Sequence, residues 1–160
     1  MSLIKFLALS MVMILATPVH AQTAPAPYGA PMSLEMAKKA MAAAEAEAKK
    51  NNWQMAIVIL DTTGSMVMMQ KLDNTQTGSV AVAESKARTA LDFRRPTKVL
   101  QDGLAAGGAG LRLLTIHGIS AIEGGFPVIV DGKVIGAIGV SGGAVEQDAQ
   151  VAKAGLDAAK

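Results

Sequence analysis

Cysteine is absent from the 160-residue chain, and aromatic residues make up only 3% of it. The first absence excludes disulfides, thiolate metal sites and cysteine nucleophiles. The second leaves the core to Val, Ile, Leu, Met and Ala, whose smaller members let elements approach closely, within one chain or between copies. An excess of one charge is missing too: 15 basic residues face 13 acidic ones. There is no broad basic field for nucleic acid or an anionic membrane. Histidine is confined to His20 and His117. Zinc needs three or four N, S or O ligands, and without a G-x-S-x-G elbow neither histidine forms a serine triad unaided. Asp61 and Asp131 sit where turns favour aspartate, so they are not a pair placed for acid–base work. The chain therefore offers no nucleophile–base pair, and an enzymatic reading ranks below a binding one.

What is present starts with a leader. Met1 to Lys5 carry one positive charge, Phe6 to Ala16 are apolar except for Ser10, and Val19-His20-Ala21 ends on small residues. This reads as a secretory signal peptide over residues 1–21, and predicts export to the periplasm or the extracellular space. Its apolar part is shorter than the ~20 residues a membrane-spanning helix needs, so a retained anchor is the weaker alternative. Cleavage would leave His117 as the sole histidine. Residues 22–32, beginning "QTAPAPYGAP", read as a mobile Pro/Ala-rich tether. Residues 33–160 are then one domain, long enough to bury a core without disulfides.

Within that domain, Leu34, Ala37, Met41, Ala44 and Ala48 recur at helical spacing behind the N-cap candidate Ser33. "MAIVIL" (55–60) is a continuous apolar run, as in a strand buried on both faces. "SMVMMQKL" (65–72) is its hairpin return, and residues 79–93 form a second helix capped by Ser79 and stopped by Pro96. Ile119 to Glu123 read as a strand. "FPVIV" and "KVIGAIGVS" flank Asp131-Gly132, the strongest short hairpin signal there is, and an Ala-rich helix closes the chain. The predicted fold class is α/β (α+β) in the order α-β-β-α-β-β-β-α, with a mainly antiparallel sheet flanked by helices.

The segment "DGKVIGAIGVSGG" superficially resembles a phosphate loop. Its glycines at 136, 139, 142 and 143 miss G-x-G-x-x-G, the Walker lysine is absent, and Glu146 and Asp148 would oppose a phosphate at the following helix start. Gly136 and Gly139 have opposite strand parity, so each face of the strand loses one side chain. That permits close approach of a helix, a flat ligand or another chain.

Several residues are candidates for ligand chemistry, each with a plainer structural reading. His117 could ligate haem iron axially, or be an ordinary surface histidine. Arg94, Arg95 and Lys98, with Lys86 and Arg88 one or two turns earlier, could clamp carboxylates such as haem propionates, or merely suit a helix C-terminus. Met66, Met68 and Met69 could supply thioether ligands, though filling the core is the commoner use.

The blocks "VILDTTGSMVMMQKLD", "SVAVAESKARTALDFRRPT" and "GGFPVIVDGKVIGAIGVSGGAVEQDAQVAKAG" resemble the GlcG/HbpS family, also called the haem-degrading domain family. The resemblance runs from about Leu34 to Leu156. It implies a profilin-like sandwich with a five-stranded antiparallel sheet, compact homo-oligomers, and haem as the cofactor or ligand of some members. Other relatives are fused to corrinoid-related enzymes or encoded beside glycolate oxidation genes. Lys71-Leu72-Asp73-Asn74 stands where the family usually has Arg-Met-Asp-Gly, so an arginine that could meet a ligand is replaced by Lys71. The expectation is an exported, oligomeric haem (tetrapyrrole)-binding protein, serving haem sensing, storage or detoxification. Its pocket candidates are His117, Arg94, Arg95, Thr97, Lys86 and Gly139, with His117 as the iron ligand. The alternatives are a haem-degrading or small-acid enzyme, and an assembly module without a small ligand. Neither nucleic acid nor stable membrane insertion after cleavage is expected.

Overall fold

The computed structural model describes residues 24–159. The leader read over residues 1–21 lies outside them. Helix α1 (Leu34–Lys50) leads into the hairpin β1 (Ala56–Asp61) and β2 (Met66–Lys71). Helices α2 (Ser79–Phe93) and α3 (Thr97–Ala105) follow, then a 3₁₀ segment (Gly108–Thr115). The hairpin β3 (Gly125–Val130) and β4 (Lys133–Ser141) leads to α4 (Val145–Ala158). The four strands form one sheet in the order β2-β1-β4-β3, with every neighbour antiparallel. No helix among the described residues is long and apolar enough to cross a membrane.

Strand alternation divides the core into two layers. Val58, Leu60 and Ala137 face α2 and pack on Ala83, Ala87 and Leu91. Ile57, Ile59, Ile138 and Val140 face the opposite way, onto Ala37, Ala44, Ala149 and Ala152 of α1 and α4. β1 and β4 are the two central strands, which explains the unbroken apolar run of β1. The two glycines of β4 do serve opposite faces. A Cβ on Gly139 would collide with the Ala83 carbonyl oxygen and the Ala87 amide of α2, whereas one on Gly136 would meet the Leu60 carbonyl oxygen and Met32.

Three local expectations change. The sheet has four strands, not five, because Ile119 to Glu123 is irregular. Its backbone donors are taken by side chains: Ser120 N donates to Thr89 Oγ1 (2.8 Å) and Glu123 N to Gln101 Oε1 (2.8 Å). Ser79 is the first residue of α2, not its cap; Gly78 holds that position, and the buried Ser79 hydroxyl has no partner among the described residues. Residues 27–32 are not a free tether. Val134 N donates to Pro27 O (2.8 Å), Gly29 N to Val134 O (2.8 Å) and Met32 N to Ile135 O (2.8 Å). The segment lies beside β4 where β1 has ended, making a single parallel bridge at Tyr28. Ser33 caps α1 as expected, accepting from Met36 N.

Candidate functional site

The end of α2 carries the first half of the site. The helix stops when Arg94 adopts the left-handed conformation (φ 51°), with Arg94 N bonded to Leu91 O and Arg95 N to Ala90 O. This turn throws both arginines outward, and Pro96 forbids any continuation. The second half comes from β3, whose Phe126 and Pro127 are buried while Ile129 emerges. Arg94, Arg95 and Pro96 on one wall, Phe126, Pro127 and Ile129 on the other, and Leu156 of α4 enclose a groove of about 310 Å³. It is apolar along its length and cationic at its lip.

The arginines are partly preorganised. The Arg94 guanidinium lies over the Tyr28 ring (5.3 Å to the centroid), and its Nη1 donates to Ala26 O (3.2 Å). Tyr28 is itself anchored, its hydroxyl donating to Leu91 O (2.9 Å). Arg95 donates Nε to Phe93 O (3.1 Å), which leaves its terminal nitrogens without a partner among the described residues. Lys153 of α4 stands 5.7 Å from the Phe126 ring centroid. A planar anionic ligand would meet an apolar slot with forked donors at one end.

The other predicted site residues do not join this groove. Thr97 is buried behind it, where its Oγ1 accepts from Gly125 N (3.0 Å) and so ties α3 to β3. Lys86 is buried too, with Nζ bonded to Asp148 Oδ2 (2.6 Å) and Val140 O (3.0 Å). Burial pushes the Asp148 carboxyl above the ordinary carboxylate range, against the Lys86 ammonium and the Gly143 N–H. Lys86 is thus a core cation with two partners, not a hand for a propionate. Gly139 is sealed by α2 and admits no ring. Lys98 is paired with Asp102 (2.8 Å), and Arg88 donates to Gly64 O (2.6 Å).

His117 is exposed on the turn after the 3₁₀ segment. Its chain neighbour Ile116 lines a different groove of about 290 Å³, together with Leu104, Leu113, Leu114, Ile119, Ala121 and Ile122, which shares no residue with the arginine groove. Met66 and Met69 are exposed on the edge strand β2, whereas Met68 packs against the core and Met55 is buried within it. No group of three or more His, Asp or Glu among the described residues could hold a metal ion. Phe126, Pro127, Ile129, Leu156 and Tyr28 escaped the sequence reading. The one signal was that Phe126 and Tyr28 are among the few aromatics in so poor a chain.

Fold and groove together define an α+β domain with one antiparallel sheet between helical layers and an arginine-lipped slot at the end of α2. The chain belongs to the family described as haem degrading protein HbpS-like, whose model matches residues 32–157. It is 40% identical over 110 residues to Protein GlcG of Escherichia coli K12, covering 69% of this chain and 81% of that protein. Among solved structures it is similar to a double mutant of Streptomyces reticuli HbpS (TM-score 0.74, 30% identity, 89% of this chain and 97% of that one). It is also similar to a PduOC:haem complex (TM-score 0.73, 26% identity, 80% and 94%).

Proposed function

We propose that this chain is an exported, homo-oligomeric haem-binding protein, serving haem sensing, storage or detoxification. The observation that carries the reading is the arginine groove: an apolar slot whose lip holds Arg94 and Arg95, with the terminal nitrogens of Arg95 free to meet a carboxylate. The haem held by PduOC and the description of the HbpS-like family support the ligand class. The leader-like residues 1–21 support export, and the apolar surface around the 3₁₀ segment supports self-association.

Haemin titrated into the purified protein should produce a saturable shift of the Soret band. Arg94→Ala and Arg95→Ala should each weaken binding about tenfold, as expected for loss of a charge-assisted hydrogen bond. A spectrum that never saturates sinks the reading. If only His117→Ala abolishes the shift while the arginine variants bind normally, the ligand sits in the Leu/Ile groove instead. Haem degradation is the second reading, favoured by the family's description. Product analysis with reductant or peroxide, against a protein-free control, separates turnover from binding.

A further inference from the structure

We propose that a second small-molecule site lies between the end of α1 and the end of β2, and that it takes a neutral, polyhydroxylated ring of the sugar type. Two short segments face each other there around a concavity of about 400 Å³, within the range of ligand pockets. Both alternate in the same way. Trp53 and Leu72 turn inward and pack against the core, while Asn52, Gln54, Lys71 and Asp73 are exposed. The concavity therefore has an apolar, aromatic floor and a polar rim.

Both walls are fixed by backbone hydrogen bonds. Trp53 N donates to Ala48 O (2.9 Å) after Asn52 turns left-handed (φ 56°). Leu72 N donates to Met55 O (3.0 Å), and Thr75 Oγ1 to Leu72 O (2.7 Å), ahead of a second left-handed residue, Asn74 (φ 62°). A ligand would find this shape already made, without ordering a loop.

The rim is chemically unspent. Glu45, which also lines the concavity, is held by its neighbours Lys49 and Gln70. The side chains of Asn52, Trp53, Gln54, Lys71 and Asp73 have no hydrogen bond or ion pair among the described residues. They offer donors (the Lys71 ammonium and the indole N–H), an acceptor (the Asp73 carboxylate) and two amides that do both. One positive and one negative charge cancel, so the rim selects neither anion nor cation. A sugar ring matches this set, because its hydroxyls donate and accept while its C–H face lies on the indole. An amino acid would use Lys71 and Asp73 and leave both amides idle. The site shares no residue with the arginine groove and stands whether or not haem binds there.

Trp53 is the only tryptophan in the chain, so its emission reports on this site alone. Glucose and N-acetylglucosamine titrated into the full-length protein should change that emission saturably, with a Kd on the order of 1 mM. Gln54→Ala and Asp73→Ala should each weaken the response severalfold while leaving the thermal melt unchanged, since both side chains are exposed. Saturation-transfer NMR on the sugar gives a readout independent of the fluorophore and of folding variants at Trp53. Transfer that both substitutions weaken supports the site. No transfer to either sugar, transfer that neither substitution weakens, or saturation by glycine but by neither sugar overturns it.

Discussion

Among the described residues, Lys86 is the largest side chain with almost no exposure (1%), and it carries a charge. Its ammonium is held by Asp148 Oδ2 and Val140 O, so α2, β4 and α4 meet at one buried ion pair. Such a pair seldom adds net stability, because desolvating two charges offsets their attraction. The direction at Asp148 agrees: burial raises its folded-state value above the unfolded one. The native state thus takes up a proton more readily than the unfolded chain does. The resulting contribution is present below the ordinary carboxylate range and is lost as pH rises through the raised value. Removing one partner leaves the other stranded. Asp148→Ala should cost about 3–5 kcal/mol in urea unfolding at neutral pH, whereas Lys86→Met with Asp148→Leu should match the parent or exceed it. A double variant as unstable as the single would show that the pair itself holds the fold.

At the scale of elements, residues 27–32 do the work of a short strand without looking like one. Pro27 lacks an N–H but needs only its carbonyl, which accepts from Val134, and Gly29 supplies the donor that returns to the same residue. Tyr28 then bridges this segment to α2 and stacks under Arg94. Tyr28→Phe should lose about 1 kcal/mol of stability with the Leu91 hydrogen bond gone, and keep the stacking. Tyr28→Ala should lose more, and should also weaken haemin binding by freeing Arg94. Equal haemin affinity in the two variants, measured by Soret titration, would remove Tyr28 from the site. The missing fifth strand is the mirror case. Ile119 to Glu123 has the composition of a strand, but Thr89 and Gln101 capture its amides before a sheet can.

At the scale of the whole molecule, exposed apolar side chains among the described residues are unevenly spread. Val99, Leu111, Leu114 (69% exposed), Ile116 and Ile122 all belong to the stretch from α3 to the turn before β3. Apolar patches of this kind mark association surfaces. Light scattering after size exclusion should give a mass that is a multiple of the monomer's, and Leu114→Lys with Ile116→Lys should return it to the monomer. A parent protein that is monomeric at micromolar concentration would leave this face without a partner copy.

The sequence by itself determined whatever depends on neighbours along the chain. Helical spacing marked α1, α2 and α4, and Asp131-Gly132 marked the hairpin, whose two residues indeed take positive φ (49° and 70°). The wrong glycine spacing in β4 already excluded a phosphate loop, and the parity of Gly136 and Gly139 foretold that each face would be approached closely. Arg94 and Arg95 were legible as neighbouring basic residues at a helix end, because Pro96 stops the helix there. Only the tertiary structure decided which partners those residues meet. It gave Lys86 to Asp148, filled the space over Gly139 with α2, and placed His117 beside a groove separate from the arginines. Pairings 28 to 62 residues apart in the chain leave no periodic trace, because they are settled by how the layers pack.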